Sequence, residues 1–305
     1  MASHQTSLHV EIKALAKKRN ALILAHNYQP PAIQDLADLC GDSLELSRKA
    51  AETDADVIVF CGVHFMAETA SILCPQKTVL LPRHDAGCLM ADMITAEALK
   101  IRIESLPPMP VVTYVNSTAD VKALSTICCT SANVVQVVNS LAADEVLMTP
   151  DRNLAMYAAA RTGKKVHLWD GYCPTHEWLT PDDVHKARAA HPDAVFVAHP
   201  ECRPDVLALA DVIASTSGML RHVARAAEKS FIVGTEMGLL YPMQKANPDK
   251  HFFPASPKMV CANMKRIRLE DVHRSLERMS GEVKVPEEIR LPALRAVRAM
   301  IDLNL

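Results

Sequence analysis

The sequence predicts an α/β protein of three pseudo-symmetric, three-layer α/β/α units, with parallel sheets set around a pseudo-threefold axis. Three observations carry this. Short, wholly apolar runs alternate with stretches of helical periodicity, the pattern of strands covered on both faces by helices. The same order of elements returns at intervals of 85 to 88 residues. A cysteine returns with it: 85 residues separate Cys88 from Cys173, and 88 separate Cys173 from Cys261.

Taken in order, residues 8–19 place Leu8, Ile12, Leu15 and Ala16 at helical spacing and end on Lys17, Lys18 and Arg19, where cations complement the helix dipole. Residues 1–20 therefore form an N-terminal helix. The apolar run 21–25 is a strand that stops at His26, and it matches 111–114, ending at Tyr114, and 195–198, ending before His199. A second register follows, in which 33–38 resembles 121–126 and 206–211, each leading to a hydroxyl: Ser43, Ser131, and Thr216 or Ser217. Hydroxyls ahead of helical patterns are candidate helix caps. Strands return at 57–60, 145–148 and 231–233, helices at 65–73, 153–160 and 237–245, and a third strand at 77–81, 164–169 and 251–253. Each unit thus reads strand, helix, strand, helix, strand, cysteine, which implies parallel sheets with right-handed crossovers. The expected units span 21–105, 106–190 and 191–265, and a helical segment, 266–305, packs back on them. In that segment Pro292 is placed to open a last helix with Leu294, Val297 and Ile301 on one face.

With 305 residues, 49% of them hydrophobic, the chain can bury a substantial core. A net charge of −2 offers neither nucleic acid nor an anionic membrane a complementary surface, so small molecules are the expected partners. The first residues lack a basic segment followed by an apolar one, and no apolar run is long enough to span a bilayer. A cytoplasmic location is expected, with the nine cysteines reduced.

Ligands of parallel α/β units bind beyond the carboxyl ends of the strands. Those ends supply His26, Asn27 and Tyr28, then Tyr114 and Asn116, then His199 and Glu201, and the hydroxyl positions add Ser43, Ser131, Thr216 and Ser217. Alone, each reads as a satisfied histidine or an ordinary cap. Their recurrence at equivalent positions points to one polar site for an anionic small molecule. The same test separates the cysteines. Cys88, Cys173 and Cys261 recur in all three units, whereas Cys40, Cys61, Cys74, Cys128, Cys129 and Cys202 read as small buried hydrophobes. Three thiolates are too few for a closed structural zinc site, which takes four ligands. On a four-iron cluster they leave one iron open to act as a Lewis acid in the loss of water. No CxxxCxxC loop of the radical S-adenosylmethionine kind is present, and a hydro-lyase-like or condensing dehydration fits better.

The stretches His26-Asn27-Tyr28-Gln29, Gly41-Asp42-Ser43-Leu44, Ala86-Gly87-Cys88, Thr113-Tyr114-Val115-Asn116-Ser117, Thr130-Ser131-Ala132-Asn133, Gly171-Tyr172-Cys173-Pro174-Thr175-His176, His199-Pro200-Glu201-Cys202 and Cys261-Ala262-Asn263-Met264-Lys265 closely resemble the quinolinate synthase family of NAD biosynthesis. The resemblance covers nearly the whole chain. It implies three α/β/α units with a 4Fe-4S cluster at their junction, held by Cys88, Cys173 and Cys261. It implies condensation of iminoaspartate with dihydroxyacetone phosphate to quinolinate, with loss of phosphate and two waters. His26, Ser43, Asn116, Ser131, His199, Ser215 and Thr216 would bind the carboxylates and phosphate, helped by helix N-termini behind the hydroxyls. Tyr114 and Glu201 would also bind substrate, and Tyr28, Tyr114 and Glu201 would move protons, with His176 a lesser candidate or a hydrogen-bonding neighbour of Cys173. The CxxC pair of some relatives is absent at Cys261, and no helper domain for imine formation is visible. Because iminoaspartate is unstable in water, functional coupling to an aspartate oxidase or dehydrogenase is expected. Two other readings share the cysteine tripod: a different iron–sulfur dehydratase, and a non-catalytic iron–sulfur sensor, which would need a basic reading helix that the charge pattern lacks.

Overall fold

The computed structural model describes residues 2–303. Its twelve strands form three four-stranded sheets, and every strand pairing within them is parallel. The first holds β1 (Ala21–His26), β2 (Leu39–Gly41), β3 (Val57–Cys61) and β4 (Thr78–Leu80). The second holds β5 (Val111–Tyr114), β6 (Ile127–Cys129), β7 (Glu145–Thr149) and β8 (Lys165–Leu168), and the third β9 (Val195–Ala198), β10 (Val212–Ile213), β11 (Ser230–Gly234) and β12 (His251–Pro254). The spatial order is the same each time, β2-β1-β3-β4, β6-β5-β7-β8 and β10-β9-β11-β12. The chain leaves the first strand to one side and returns to the other, so a crevice opens beyond the carboxyl ends of the first and third strands.

The strands expected from apolar runs are found within a residue or two of their predicted ends. Each sheet also contains one strand that the sequence pattern did not reveal: β2, β6 and β10. These have only two or three residues, too short to show a period of two. They lie at the sheet edge beside the first strand, where one backbone side pairs and little apolar surface is needed.

Helix starts differ from expectation in an informative way. Asp42, not Ser43, caps the helix Ser43–Glu52, in a capping box with Glu45. Ser215 caps Thr216–Arg225 through the Gly218 N–H, while Thr216 is its first residue. The helix Val134–Ser140 follows Asn133 with no side-chain cap, so Ser131 caps nothing. The carboxylate or hydroxyl one residue earlier wins the cap because a cap residue must still be extended. At the other end of the chain, the last helix, Glu287–Ile301, starts after Pro286 and carries Pro292 inside it. Pro286 is extended and ends the preceding loop, so the helix starts earlier than Pro292 suggested. It buries Ala293, Ala296, Val297 and Met300 against the second sheet's core, with Leu294 and Ile301 at the margin. The N-terminal helix, Ala2–Lys18, begins earlier than its apolar period and packs on Leu269–Arg278. Asn20, at φ 48°, turns the chain from that helix into β1, a conformation asparagine tolerates. No helix among the described residues is long and apolar enough to cross a membrane.

Candidate functional site

A cavity of about 390 Å³ lies beyond the strand ends and is lined from all three sheets. It brings together His26 and Tyr28 after β1, Tyr114 and Asn116 after β5, and His199 and Glu201 after β9. Ser43, Ser131 and Thr216 join them, as do Cys88, Cys173 and Cys261. Asn27, Ser215 and Ser217 are the expected site residues that do not line it; the Ser215 hydroxyl caps a helix and donates to Asp42 Oδ2 at 3.3 Å, and the Ser217 hydroxyl donates to Glu45 Oε2.

The loops that carry these groups are held from beneath by side chains at equivalent places. Gln34 Nε2 donates to the carbonyls of Asn27 (3.0 Å), Gln29 (2.8 Å) and Gly238 (3.1 Å). The fully buried Lys122 donates to the Ser117 carbonyl at 2.5 Å, the same task in the second sheet. Asn27 Nδ2 donates to Thr216 Oγ1 at 3.0 Å, tying the loop after β1 to the third sheet's helix. The Tyr28 N–H donates to His26 Nδ1 at 3.1 Å, which leaves the imidazole proton on Nε2. Burial lowers the His26 pKa to about 3, with His199 and Lys265 adding to the effect, so the ring is a neutral donor.

Each of the three cysteines stands at most three residues before a helical turn. Cys88 precedes the turn Ala91–Met93, Cys173 caps Pro174–Glu177, and Cys261 precedes Asn263–Lys265. Backbone N–H groups of those turns act to lower the thiol pKa values, those of Met90 and Ala91 at Cys88, His176 at Cys173, and Asn263 and Met264 at Cys261, although the His176 N–H also donates to the Cys173 carbonyl at 3.1 Å. Such donors favour thiolate, the form that binds metal. Without metal, burial pushes the Cys88 thiol up to about 12 and raises the other two, and Cys261 and Cys88 further raise Cys88 and Cys173 respectively. Three half-buried thiols that line one cavity, each beside backbone N–H groups, suit a metal centre that would stabilise their deprotonated forms. Cys61, Cys74, Cys128, Cys129 and Cys202 are instead buried, and the half-buried Cys40 donates to the Gln34 carbonyl. Atoms of Cys173, His176 and Glu201 also lie within 4.8 Å of one another, so the site has the makings of a metal site by this route too.

A chain of short contacts runs through the cavity wall. Tyr28 OH and Thr235 Oγ1 share a hydrogen bond of 2.5 Å, and Thr235 Oγ1 pairs with His176 Nε2 at 2.8 Å. His176 Nδ1 lies 2.8 Å from Glu201 Oε2, and His199 Nδ1 lies 3.3 Å from the same oxygen. Burial alone would raise the Glu201 pKa, but His176 and His199 overcome it and hold the carboxyl below its usual range. Burial, reinforced by the Glu201 charge, drives the Tyr28 and Tyr114 phenols well above theirs. At neutral pH the site therefore presents the ionised Glu201 carboxylate beside two protonated phenols. Glu201 Oε1, His176 Nδ1 and Asn116 Oδ1 are buried with no hydrogen-bond partner among the described residues, and all three residues line the cavity.

Reading the sequence did not single out Thr235, Asp42, Glu236 or Lys265. Asp42 is buried beside Ser43 and occupies the Leu44 and Glu45 N–H groups, so the first sheet's helix start is already neutralised rather than open to an anion. Thr235 and Glu236 follow β11 directly. Their register, just after a third strand, was the available signal.

The chain matches the quinolinate synthetase A protein family over residues 10–302. It is 58% identical over 297 residues to a quinolinate synthase of Geobacter sp. (strain M21), covering 97% of this chain and 98% of that protein. It is 54% identical to one of Thermodesulfovibrio yellowstonii, covering 96% and 97%, and 53% identical to quinolinate synthase 1 of Methanosarcina acetivorans, covering 97% and 98%.

Proposed function

This chain belongs to the quinolinate synthetase A family, and from that premise and the chemistry of the cavity we propose the reaction it runs. It is an enzyme of NAD biosynthesis that forms quinolinate. The proposed substrates are iminoaspartate and dihydroxyacetone phosphate, condensed with loss of phosphate and two waters. Cys88, Cys173 and Cys261 would hold a 4Fe-4S cluster, whose non-cysteine iron supplies Lewis acidity toward a hydroxyl or carboxylate oxygen.

The protein's own groups divide the remaining work. The neutral His26 donates from Nε2, and with Ser43, Ser131, Thr216, His199 and the Asn116 amide it binds the carboxylates and phosphate. Ser215 contributes by capping the helix that presents Thr216. Glu201, ionised, accepts protons at Oε1, which has no other partner. Tyr28 and Tyr114, protonated, donate to departing oxygens. The Thr235 and His176 contacts connect Tyr28 to Glu201, so a proton accepted at the carboxylate can be returned at the phenol. Enolisation, ring closure and dehydration each need one proton removed and one delivered, and this pair of ends provides both.

The observation that carries the reading is the convergence of three recurring thiols and this proton relay on one cavity. Its test is an anaerobic assay with oxaloacetate-derived imine and dihydroxyacetone phosphate: quinolinate should form, and a different dehydration product without quinolinate would sink it. We place the enzyme in the cytoplasm, where thiols stay reduced. An aspartate-oxidising enzyme, an oxidase or dehydrogenase, would have to supply the short-lived imine.

A further inference from the structure

Asp151 and Glu236 occupy the same place in the second and third sheets. Each stands two residues past the end of a third strand, β7 at Thr149 and β11 at Gly234. Both are buried, and neither belongs to the proton relay. Each divides its two carboxyl oxygens in the same way. Asp151 Oδ1 accepts the Leu154 N–H at 2.8 Å, inside the helix that follows, while Oδ2 accepts the Cys173 N–H at 3.1 Å. Glu236 Oε2 accepts the Gly238 N–H at 2.8 Å and Lys265 Nζ at 2.9 Å, while Oε1 accepts the Cys261 N–H at 3.2 Å. The backbone comes close enough for these bonds because glycines leave room: a Cβ on Gly171 would lie 2.5 Å from the Pro150 carbonyl, and one on Gly238 would lie 2.7 Å from Glu236 Oε2.

A buried carboxyl is costly, and one helix cap needs a single acceptor, which serine or threonine supplies. What aspartate and glutamate add here is a second acceptor, and in both sheets it goes to the backbone of a recurring cysteine. The first sheet has Val63 at this place. There the cysteine loop is tied to the strand end by a backbone bond instead, from the His64 N–H to the Ala86 carbonyl at 2.8 Å.

We propose that Asp151 and Glu236 are positioning residues for the metal centre, fixing the Cys173 and Cys261 backbones so that both sulfurs are presented to it. The inference rests on the reading that the three cysteines hold a cluster. Groups that orient metal ligands commonly contribute about tenfold or more to metal retention. Asp151→Ala and Glu236→Ala, isolated without oxygen and shown folded by far-ultraviolet circular dichroism, should each release iron to a chelator about tenfold faster than the parent. The electron paramagnetic resonance spectrum of the reduced centre should change as well. Thr95→Ala, which removes a helix cap with no cysteine attached, should match the parent in both. If an alanine variant does not fold, Asp151→Asn or Glu236→Gln, which keeps the volume but only one acceptor, takes its place with the same expectation. Parental release rates and spectra in the folded variants, with iron lost from Cys173→Ser and Cys261→Ser, would overturn the positioning role alone. Full iron retention in those two cysteine variants would instead remove the cluster reading beneath it.

Discussion

Thr235→Val cuts the contact chain between Tyr28 and Glu201 at its middle while nearly preserving volume. Thr235 is fully buried, and its hydroxyl is the partner of both Tyr28 OH, at 2.5 Å, and His176 Nε2, at 2.8 Å. Valine leaves both polar atoms buried and unpaired, at roughly 1–3 kcal/mol each, so a loss of about 2–6 kcal/mol in folding stability is expected. The effect on rate has a different size. If the relay returns protons to Tyr28, its interruption removes a general-acid contribution of roughly 10²–10⁴-fold from kcat. KM should move little, since Thr235 is not among the residues that line the cavity. The assay is steady-state quinolinate formation by anaerobic enzyme, beside urea titration of the same preparation. Tyr28→Phe should reproduce the kcat loss. A Thr235→Val enzyme that keeps kcat within twofold while Tyr28→Phe loses it would show that the tyrosine works without the relay.

The low pKa of His26, about 3 against an ordinary 6.5, makes stability depend on pH. The unfolded chain takes up a proton below 6.5 that the folded protein refuses, so this stability is complete above pH 6.5 and is lost as the pH falls toward 3, at about 1.4 kcal/mol per unit. Between pH 7.5 and 5.5 the parent should lose about 1.4 kcal/mol more than His26→Gln by urea unfolding; equal losses would contradict it. Gly238→Ala forces a Cβ to within 2.7 Å of the Tyr28 carbonyl and 2.5 Å of Lys265 Nζ, so the melting temperature and kcat should fall together. Cys40→Ser and Cys202→Ser should retain the iron content of the parent, since their thiols donate to the Gln34 and Gly234 carbonyls.

The three-sheet plan was legible because strands such as β3, buried at every residue, must be written almost entirely in apolar side chains. Equivalent strands then announce the repeat. The edge strands β2, β6 and β10 carried no such pattern, and Pro292 misplaced a helix start that Pro286 actually sets. In the site, residues repeated in register were visible: the three cysteines, and the strand-end groups from His26 to Glu201. What was not visible depends on contacts between sheets. Thr235 matters because Tyr28 and His176, far away in sequence, meet on it. Lys265 matters because it reaches both Glu236 and the Tyr28 carbonyl. No local period records such meetings. Asp42 illustrates a different limit, since the capping rules admit aspartate and serine alike and only the backbone angle decides between neighbours.

The measurement that bears most directly on the central claim is iron and sulfide content, with the visible spectrum, of protein isolated without oxygen. The account predicts about four irons and four sulfides per chain, lost in each of Cys88→Ser, Cys173→Ser and Cys261→Ser. A colourless, iron-free protein that makes quinolinate would contradict it. So would a single metal ion that depends on Cys173, His176 and Glu201 yet survives replacement of Cys88 and Cys261.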